Sequence, residues 1–301
     1  MIDSPTQVNI SKAHSFLYSV VSEISSEKST KWLDEKIKNL ENNFSEKDFY
    51  LTFSLLPRFF GKEKVEFTNE QLHAASDIRT GFNPSGYSVV QASREMLVLL
   101  IPSADASHFL KILNNLFSTG EVNELVALYS ALPLLPHPES LKTRASEGIR
   151  TNMSVVFDAI ALNNPYPAEY LDDDAFNQMV LKAVFIERPL DNICGLDKRA
   201  NEKLARMLSD YAHERWAASR YVTPELWRPV GPFIDKELLK DIERLLAHGS
   251  ELEKQAAALA VQSSNFARAK ELISSQLKSG VEKNDFDWKM ISEKWFAGKI
   301  Q

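Results

Sequence analysis

The sequence predicts an all-α fold of stacked antiparallel helical hairpins. Three observations carry this reading. Apolar residues recur at helical spacing in almost every segment, and no segment alternates convincingly. The segments are short, about 10–20 residues, and so are the links between them, as in stacked helix pairs. Prolines fall between the segments, and glycine is scarce, with 10 in 301 residues against a usual frequency of roughly 7%. No single repeat period runs through the chain, so the stacking is expected to be irregular, a HEAT-like α-solenoid without strict repeats.

The elements follow in order. Helices are expected at 10–25 and 29–42. A third, at 46–57, starts with Ser45 as its cap and with Glu46 and Asp48 at the positive end of its dipole, and Pro57 and Gly61 stop it. A fourth spans 69–77, after which Gly81, Pro84 and Gly86 make a loop. Helices at 87–101, 105–117 and 121–132 come next. Pro133, Pro136 and Pro138 then break the chain. That break is apolar (Leu132, Leu134, Leu135), so it reads as the meeting point of two lobes within one domain spanning 1–301 and not as a solvated linker. Beyond it lie 139–162, then 174–187, which opens on Asp172, Asp173 and Asp174, then 200–218. A short helix at 224–229 has Thr223 as cap and Pro224 in first position, and Pro229, Gly231 and Pro232 end it. Asp235 caps 236–247, and 251–264, 266–279 and 286–297 complete the chain. Ala256, Ala257, Ala258 and Ala260 allow close helix approach, with Phe266, Leu272 and Leu277 on the following helix.

Composition narrows the function classes. An apolar fraction of 44% and a charged fraction of 25% exclude disorder, collagen and coiled coil. Lys+Arg 35 against Asp+Glu 41 leaves −6, so no positive field exists to release counterions from nucleic acid. A lone cysteine, Cys194, precludes an internal disulfide and reads as a structural thiol. The residues Met1–Gln7 lack the basic start and apolar core of a secretory signal. The longest significant apolar run, Met96–Ile101, falls far short of the roughly 20 residues that cross a bilayer. A soluble, cytoplasmic protein is the expectation.

Candidate chemistry concentrates in the second half. Along 200–218, Leu204, Met207, Leu208, Tyr211 and Ala212 form one apolar stripe. Asp210 and His213 are three residues apart and can touch on another face, as an oriented general base or as an ordinary solvated ion pair. Arg215 continues the stripe, either buried against an acid or snorkelling at the helix end. Asn163, Asn164 and Tyr166 stand in a polar and aromatic loop, 162–170. Asn177 falls inside the apolar arc of 174–187 and must find partners, while Lys182 sits on the polar side as an anion contact or a partly solvated lysine. The three aspartates at 172–174 read as helix-start charge and not as a metal site. Trp216, Tyr221 and Trp227 cluster with Arg215, Arg220 and Arg228, which suits an anionic or aromatic ligand and equally a packed corner. The phosphate-loop, dinucleotide, nucleophile-elbow and zinc-protease signatures are missing and the six histidines are scattered, so neither a cofactor nor a metal is expected.

Several stretches, Asn163–Tyr170, Ala175–Ala183, Gly195–Asp197, Asp210–Ala218 and Pro224–Arg228, resemble the EboA family. Pro57–Gly61, Arg79–Gly86 and Ala92–Arg94 resemble it more loosely. The resemblance implies a bacterial gene cluster that also encodes proteins resembling a membrane prenyltransferase, a TatD-type metal-dependent hydrolase, a TIM-barrel sugar isomerase, a dehydroquinate synthase and a phosphatase. Such a cluster is associated with moving secondary metabolites or their precursors out of the cytoplasm. It brings no catalytic residues with it. The expected function is therefore a non-enzymatic accessory protein of metabolite traffic, a helical scaffold or ligand-binding module. Its groove would be lined by the 163–170 loop and by Asp210, His213, Arg220, Trp227 and Arg228. Its partners would be other proteins of the cluster, the prenyltransferase-like membrane protein among them, and a small-molecule metabolite, with no nucleic acid and no direct membrane insertion. The alternative is an enzyme acting on a pathway intermediate, with His213 as general base.

Overall fold

The computed structural model describes residues 8–277 and 286–298. Helices account for the regular structure. Among the described residues there is no strand, and a lone antiparallel β-bridge joins Lys64 and Ser88. The all-α expectation is what the structure shows. The chain divides into two compact units, Met1–Leu171 and Asp172–Gln301. The proline-rich stretch 133–138 lies inside the first unit, where Leu132–Leu134 forms a buried 3-10 helix, and the division falls after Leu171.

The first unit holds α1 (Ile10–Ile24), α2 (Glu27–Asn42), α3 (Glu46–Leu55), α4 (Asn69–Ile78), α5 (Val89–Val98), α6 (Ala106–Thr119), α7 (Val122–Ala131), α8 (Lys142–Arg150), α9 (Ser154–Ala161) and α10 (Tyr166–Tyr170). Ser45 caps α3 as its sequence predicts, accepting from the Asp48 amide. Helix α5 is central. It packs against α1 on one side and α7 on another, and α7 packs in turn against α9. Nearly every residue of α5 is buried, including Arg94 and Glu95. Arg94 is balanced by Glu124, 3.3 Å away, and lies over the Phe53 ring at 5.4 Å.

The second unit holds α11 (Asp173–Phe185), α12 (Leu196–Arg199), α13 (Glu202–Ala217), α14 (Leu238–His248), α15 (Glu251–Ser263), α16 (Ala267–Leu277) and α17 (Trp288–Ala297). Helix α15 is its hub, in contact with α14, α16, α17 and two 3-10 turns, Pro224–Trp227 and Gly231–Phe233. The alanines permit this approach: Ala256, Ala257 and Ala260 are fully buried. Gly231 is required there, because a Cβ would stand 2.5 Å from the Ala260 carbonyl oxygen. The last two residues of the helix expected at 266–279 lie outside the described residues.

Three expected elements differ. The helix expected at 139–162 is two helices, α8 and α9, parted at 151–153. The Thr151 hydroxyl accepts from the Met153 amide at 3.2 Å, a local side-chain bond that competes with the helical ladder. The stretch 162–170, expected as a loop, closes with the single turn α10, which Pro165 leads in. At 224–229 only a four-residue 3-10 turn forms, without a side-chain cap from Thr223, since prolines at both ends leave no room for an α-helix.

Candidate functional site

In the first unit a cavity of about 560 Å³ is lined by parts of the chain far apart in sequence. One wall is the loop Asn83–Gly86 with Tyr87, another is Asp158–Asn164, and Gln91, Val126 and Ser130 come from α5 and α7. Local chemistry places each group. The β-bridge holds Tyr87, whose carbonyl accepts from Val65 at 2.8 Å. Ser88 caps α5 through the Gln91 amide, so Gln91 starts the helix facing the cavity. Its side-chain amide donates to Glu95 Oε1 and to Ser130 Oγ, both at 3.1 Å. The Tyr87 phenol stands beside the Glu95 carboxyl and Ser130. Glu95 is fully buried behind these three, and burial pushes its carboxyl well above the ordinary range, only partly opposed by Gln91 and Tyr87. Burial thus favours the protonated form of the Glu95 carboxyl, which stands behind the phenol, the amide and the hydroxyl that line the cavity.

The rim joins two of the family-like stretches. Arg79 forms a buried ion pair with Glu169. Asn164 is turned inward: its amide donates to the Tyr129 and Ala159 carbonyls at 3.0 Å each, and its Oδ1 accepts from the Tyr166 amide. Asn163 lines the cavity from a left-handed backbone, φ 54°, which asparagine tolerates better than most residues. Tyr166 points the other way, fully buried, with its hydroxyl donating to the Pro138 carbonyl at 2.6 Å, so it supports the rim without lining it.

The remaining predicted residues lie in the second unit and do not meet this cavity. Asn177 is buried and exchanges amide hydrogen bonds with Asn201, at 3.1 and 2.9 Å. Asn201 is the cap of α13, so the pair ties α11 to that helix start. Arg228 grips Asp197 with two nitrogens at 2.8 Å each and Asp191 with a third at 2.7 Å. Burial works against its charge, but the two aspartates outweigh it and raise the guanidinium. Arg215 donates to the Tyr221 carbonyl, Lys182 is half-buried with its ammonium lowered by desolvation, and Arg220 is exposed. Asp173 pairs with Arg199 and Asp174 with Lys203, and Asp172 caps α11, so the acidic triplet serves the helix start. Among the described residues no group of three acids, histidines or cysteines is placed to hold a metal ion.

The pairing expected between Asp210 and His213 does not form. His213 Nε2 lies 2.6 Å from Oδ1 of Asp241 on α14, and Ser209 donates to the other oxygen at 2.6 Å. Asp210 points to solvent, whereas Asp241 is buried, and the acid already removed from water gains more from a partner. His213 also flanks Trp216, 5.6 Å between centroids, and Trp216 stacks on the fully buried Trp227 at 5.7 Å and 18°. Ser209, His213, Trp216 and Asp241 border a cleft of about 650 Å³, which the buried Trp227 does not line.

Sequence reasoning missed Tyr87, Gln91, Glu95 and Ser130 in the first unit, and Ser209, Asp241 and Arg244 in the second. One signal was present. Ser93-Arg94-Glu95 stands directly before the apolar run Met96–Ile101, which marks charges carried into a buried helix.

No helix among the described residues is long and apolar enough to cross a membrane. No curated protein and no solved structure matches the chain. The family described as metabolite traffic protein EboA does match, over residues 13–231, a span that contains the whole first-unit cavity and both stretches at its rim. That span is more than half of the chain, which therefore belongs to the EboA family.

Proposed function

We propose that this protein is a non-enzymatic, cytoplasmic binding module of metabolite traffic, and that its first unit carries a small, uncharged, hydroxyl-bearing metabolite. One observation supports this above the rest: the Gln91 amide, which lines a 560 Å³ cavity with Tyr87 and Ser130, bonds both the Ser130 hydroxyl and the buried Glu95 carboxyl. That volume falls within the range of small-molecule sites, about 300–1,000 Å³. The Tyr87, Gln91 and Ser130 side chains offer donors and acceptors without a formal charge, and Lys64 and Asp158 add one charge of each sign to the walls, so the lining as a whole favours hydroxyls and carbonyls over ions. The cavity lies entirely in the family-matched span, and the family's description supplies the metabolite-traffic role. The partners we assign are proteins of the same gene cluster, the prenyltransferase-like membrane protein first among them, since a carrier must deliver its load to a membrane component.

The test is purification of the full chain from its native host, with bound small molecules identified by mass spectrometry. A neutral polyhydroxylated or carbonyl compound is expected with the wild type and is expected to be lost from the Gln91→Leu, Ser130→Val double variant while helicity stays unchanged. Retention of the same compound by the double variant would refute the site. An empty wild-type protein, re-exposed to host extract and still empty, would refute the binding role.

A further inference from the structure

Helix α14 and the end of α13 leave a second set of polar groups that the first-unit cavity does not use. We propose that the second unit carries a ligand site of its own, for a hydroxylated organic anion: Arg244, Arg220 and His248 hold the anionic group and His213 accepts a hydrogen bond from a hydroxyl.

Two depressions meet here. The cleft of about 650 Å³ contains His213 and Asp241, and a neighbouring one of about 340 Å³ contains Ser219, Arg220 and Tyr221. Trp216, Arg244 and His248 line both and form the ridge between them. The Arg244 guanidinium lies over the Trp216 ring, 4.5 Å from its centroid. Stacking fixes its plane and leaves its N–H donors at the edge, the geometry that suits a carboxylate or phosphate. Among the described residues neither Arg244 nor Arg220 is held in an ion pair, unlike Arg206, taken by Asp235, and Arg228, taken by Asp191 and Asp197. The acid of the smaller depression, Glu253, is occupied by the Ser250 amide and hydroxyl at 2.7 and 2.8 Å. Both bonds go to Oε2, so that depression presents two guanidiniums and an imidazole against the single carboxylate of Glu253. In the larger cleft Glu237 is bridged to Lys240, while Asp210 and Glu243 keep the anionic group on the other side of the ridge.

His213 supplies the complementary contact. An ionised carboxylate only accepts hydrogen bonds, so Asp241, already taking the Ser209 hydroxyl, fixes the proton of neutral His213 on Nε2. The other nitrogen, Nδ1, then carries a lone pair, on a side chain that is 55% exposed while Asp241 is 7% exposed. Asp241 and Ser209 are positioning residues, and the group that meets the ligand is the imidazole. An acceptor and a guanidinium on either side of one indole select a molecule bearing both a hydroxyl and a negative charge.

The test uses the full chain, with tryptophan fluorescence and calorimetry, and four probes: glycerol 3-phosphate, glycerate, inorganic phosphate and glycerol. The two hydroxylated anions are expected to bind at millimolar concentration and more tightly than phosphate or glycerol, and the better of the pair identifies the anionic group as phosphate or carboxylate. Arg244→Gln is expected to weaken both at least about tenfold, a loss of about 1.4 kcal/mol. His213→Phe is expected to remove the advantage of glycerol 3-phosphate over inorganic phosphate and to leave phosphate binding itself unchanged. In ¹⁵N spectra, wild-type His213 should show an unprotonated Nδ1, and Asp241→Asn should mix the two tautomers. No binding of either hydroxylated anion to the wild type would overturn the proposal. So would an Arg244→Gln variant that binds normally, or a wild-type His213 protonated on Nδ1 in its neutral form. None of these outcomes touches the first-unit cavity, which is assayed separately.

Discussion

Replacing Glu95 by glutamine examines the uncharged floor of the first-unit cavity. In the unfolded chain a glutamate ionises near pH 4.3. In the folded protein burial raises the Glu95 carboxyl well above that range. The folded state therefore keeps a proton that the unfolded state releases, and stability falls as pH rises above the unfolded value. The slope for one proton is about 1.4 kcal/mol per pH unit, and it persists until the folded carboxyl itself ionises. Glutamine preserves the shape and the oxygen that accepts from Gln91, but it cannot titrate. From the unfolded value up to the pH at which the folded carboxyl ionises, the wild type should thus lose stability relative to Glu95→Gln, at up to about 1.4 kcal/mol per pH unit. The amide must find acceptors for two N–H donors, which places a constant offset of about 1–3 kcal/mol against the variant. An offset moves the curves apart without tilting them, so the difference in slope is diagnostic. Urea titrations read by hydrogen exchange at the α5 amides follow the first unit alone. Parallel curves for the two proteins across this range would show that Glu95 is already ionised in the fold, and the uncharged-floor argument would fail.

Asn177→Ala should leave the Asn201 side chain without its buried partner and lower the thermal stability of the second unit by about 1–3 kcal/mol, measured by calorimetry. Arg228→Ala should cost about 2–3 kcal/mol by leaving Asp191 and Asp197 unpaired, yet should not change retention of a first-unit ligand, a result that separates architecture from binding. Gly148→Ala brings a Cβ to 2.6 Å from the Tyr129 ring and should destabilise the first unit by about 1–3 kcal/mol in urea unfolding. Asp235 is held at about 2 by its Arg206 hydrogen bond, so its contribution is present above the ordinary aspartate value and disappears as pH falls through about 2. Because Arg206 and Asp235 are 37% and 47% exposed, Asp235→Asn should cost under about 1 kcal/mol at neutral pH and nothing at the acid end, by urea unfolding at both.

How much of this was legible in the sequence depends on the range of the interaction involved. Helices declared themselves because their signal is local. In α13, Leu204, Leu208 and Ala212 are buried as the stripe required. The errors in α8 and α9 arose where a side chain, Thr151, bonded its own backbone, a choice that periodicity does not record. Candidate sites behaved differently. The spacing rule found Asp210 for His213 because it compares residues on one helix, whereas Asp241 comes from another helix 28 positions away. The same rule could not bring Tyr87, Gln91 and Ser130 together, since β-bridge, cap and helix crossing each contribute one of them. Asn177 was expected to need partners and finds Asn201, while Arg228, expected beside an anionic or aromatic ligand or in a packed corner, is held by a pair of aspartates within the same unit. A conspicuous polar residue in an amphipathic sequence thus identifies a demand for hydrogen bonds. Only the fold decides whether that demand is met internally, as at Asn177, or left facing a cavity, as at Gln91. Glu95 shows why the second class is harder to see: its place before the apolar run marks a buried charge, but only the fold turns Arg94 to Glu124 and leaves Glu95 to Gln91.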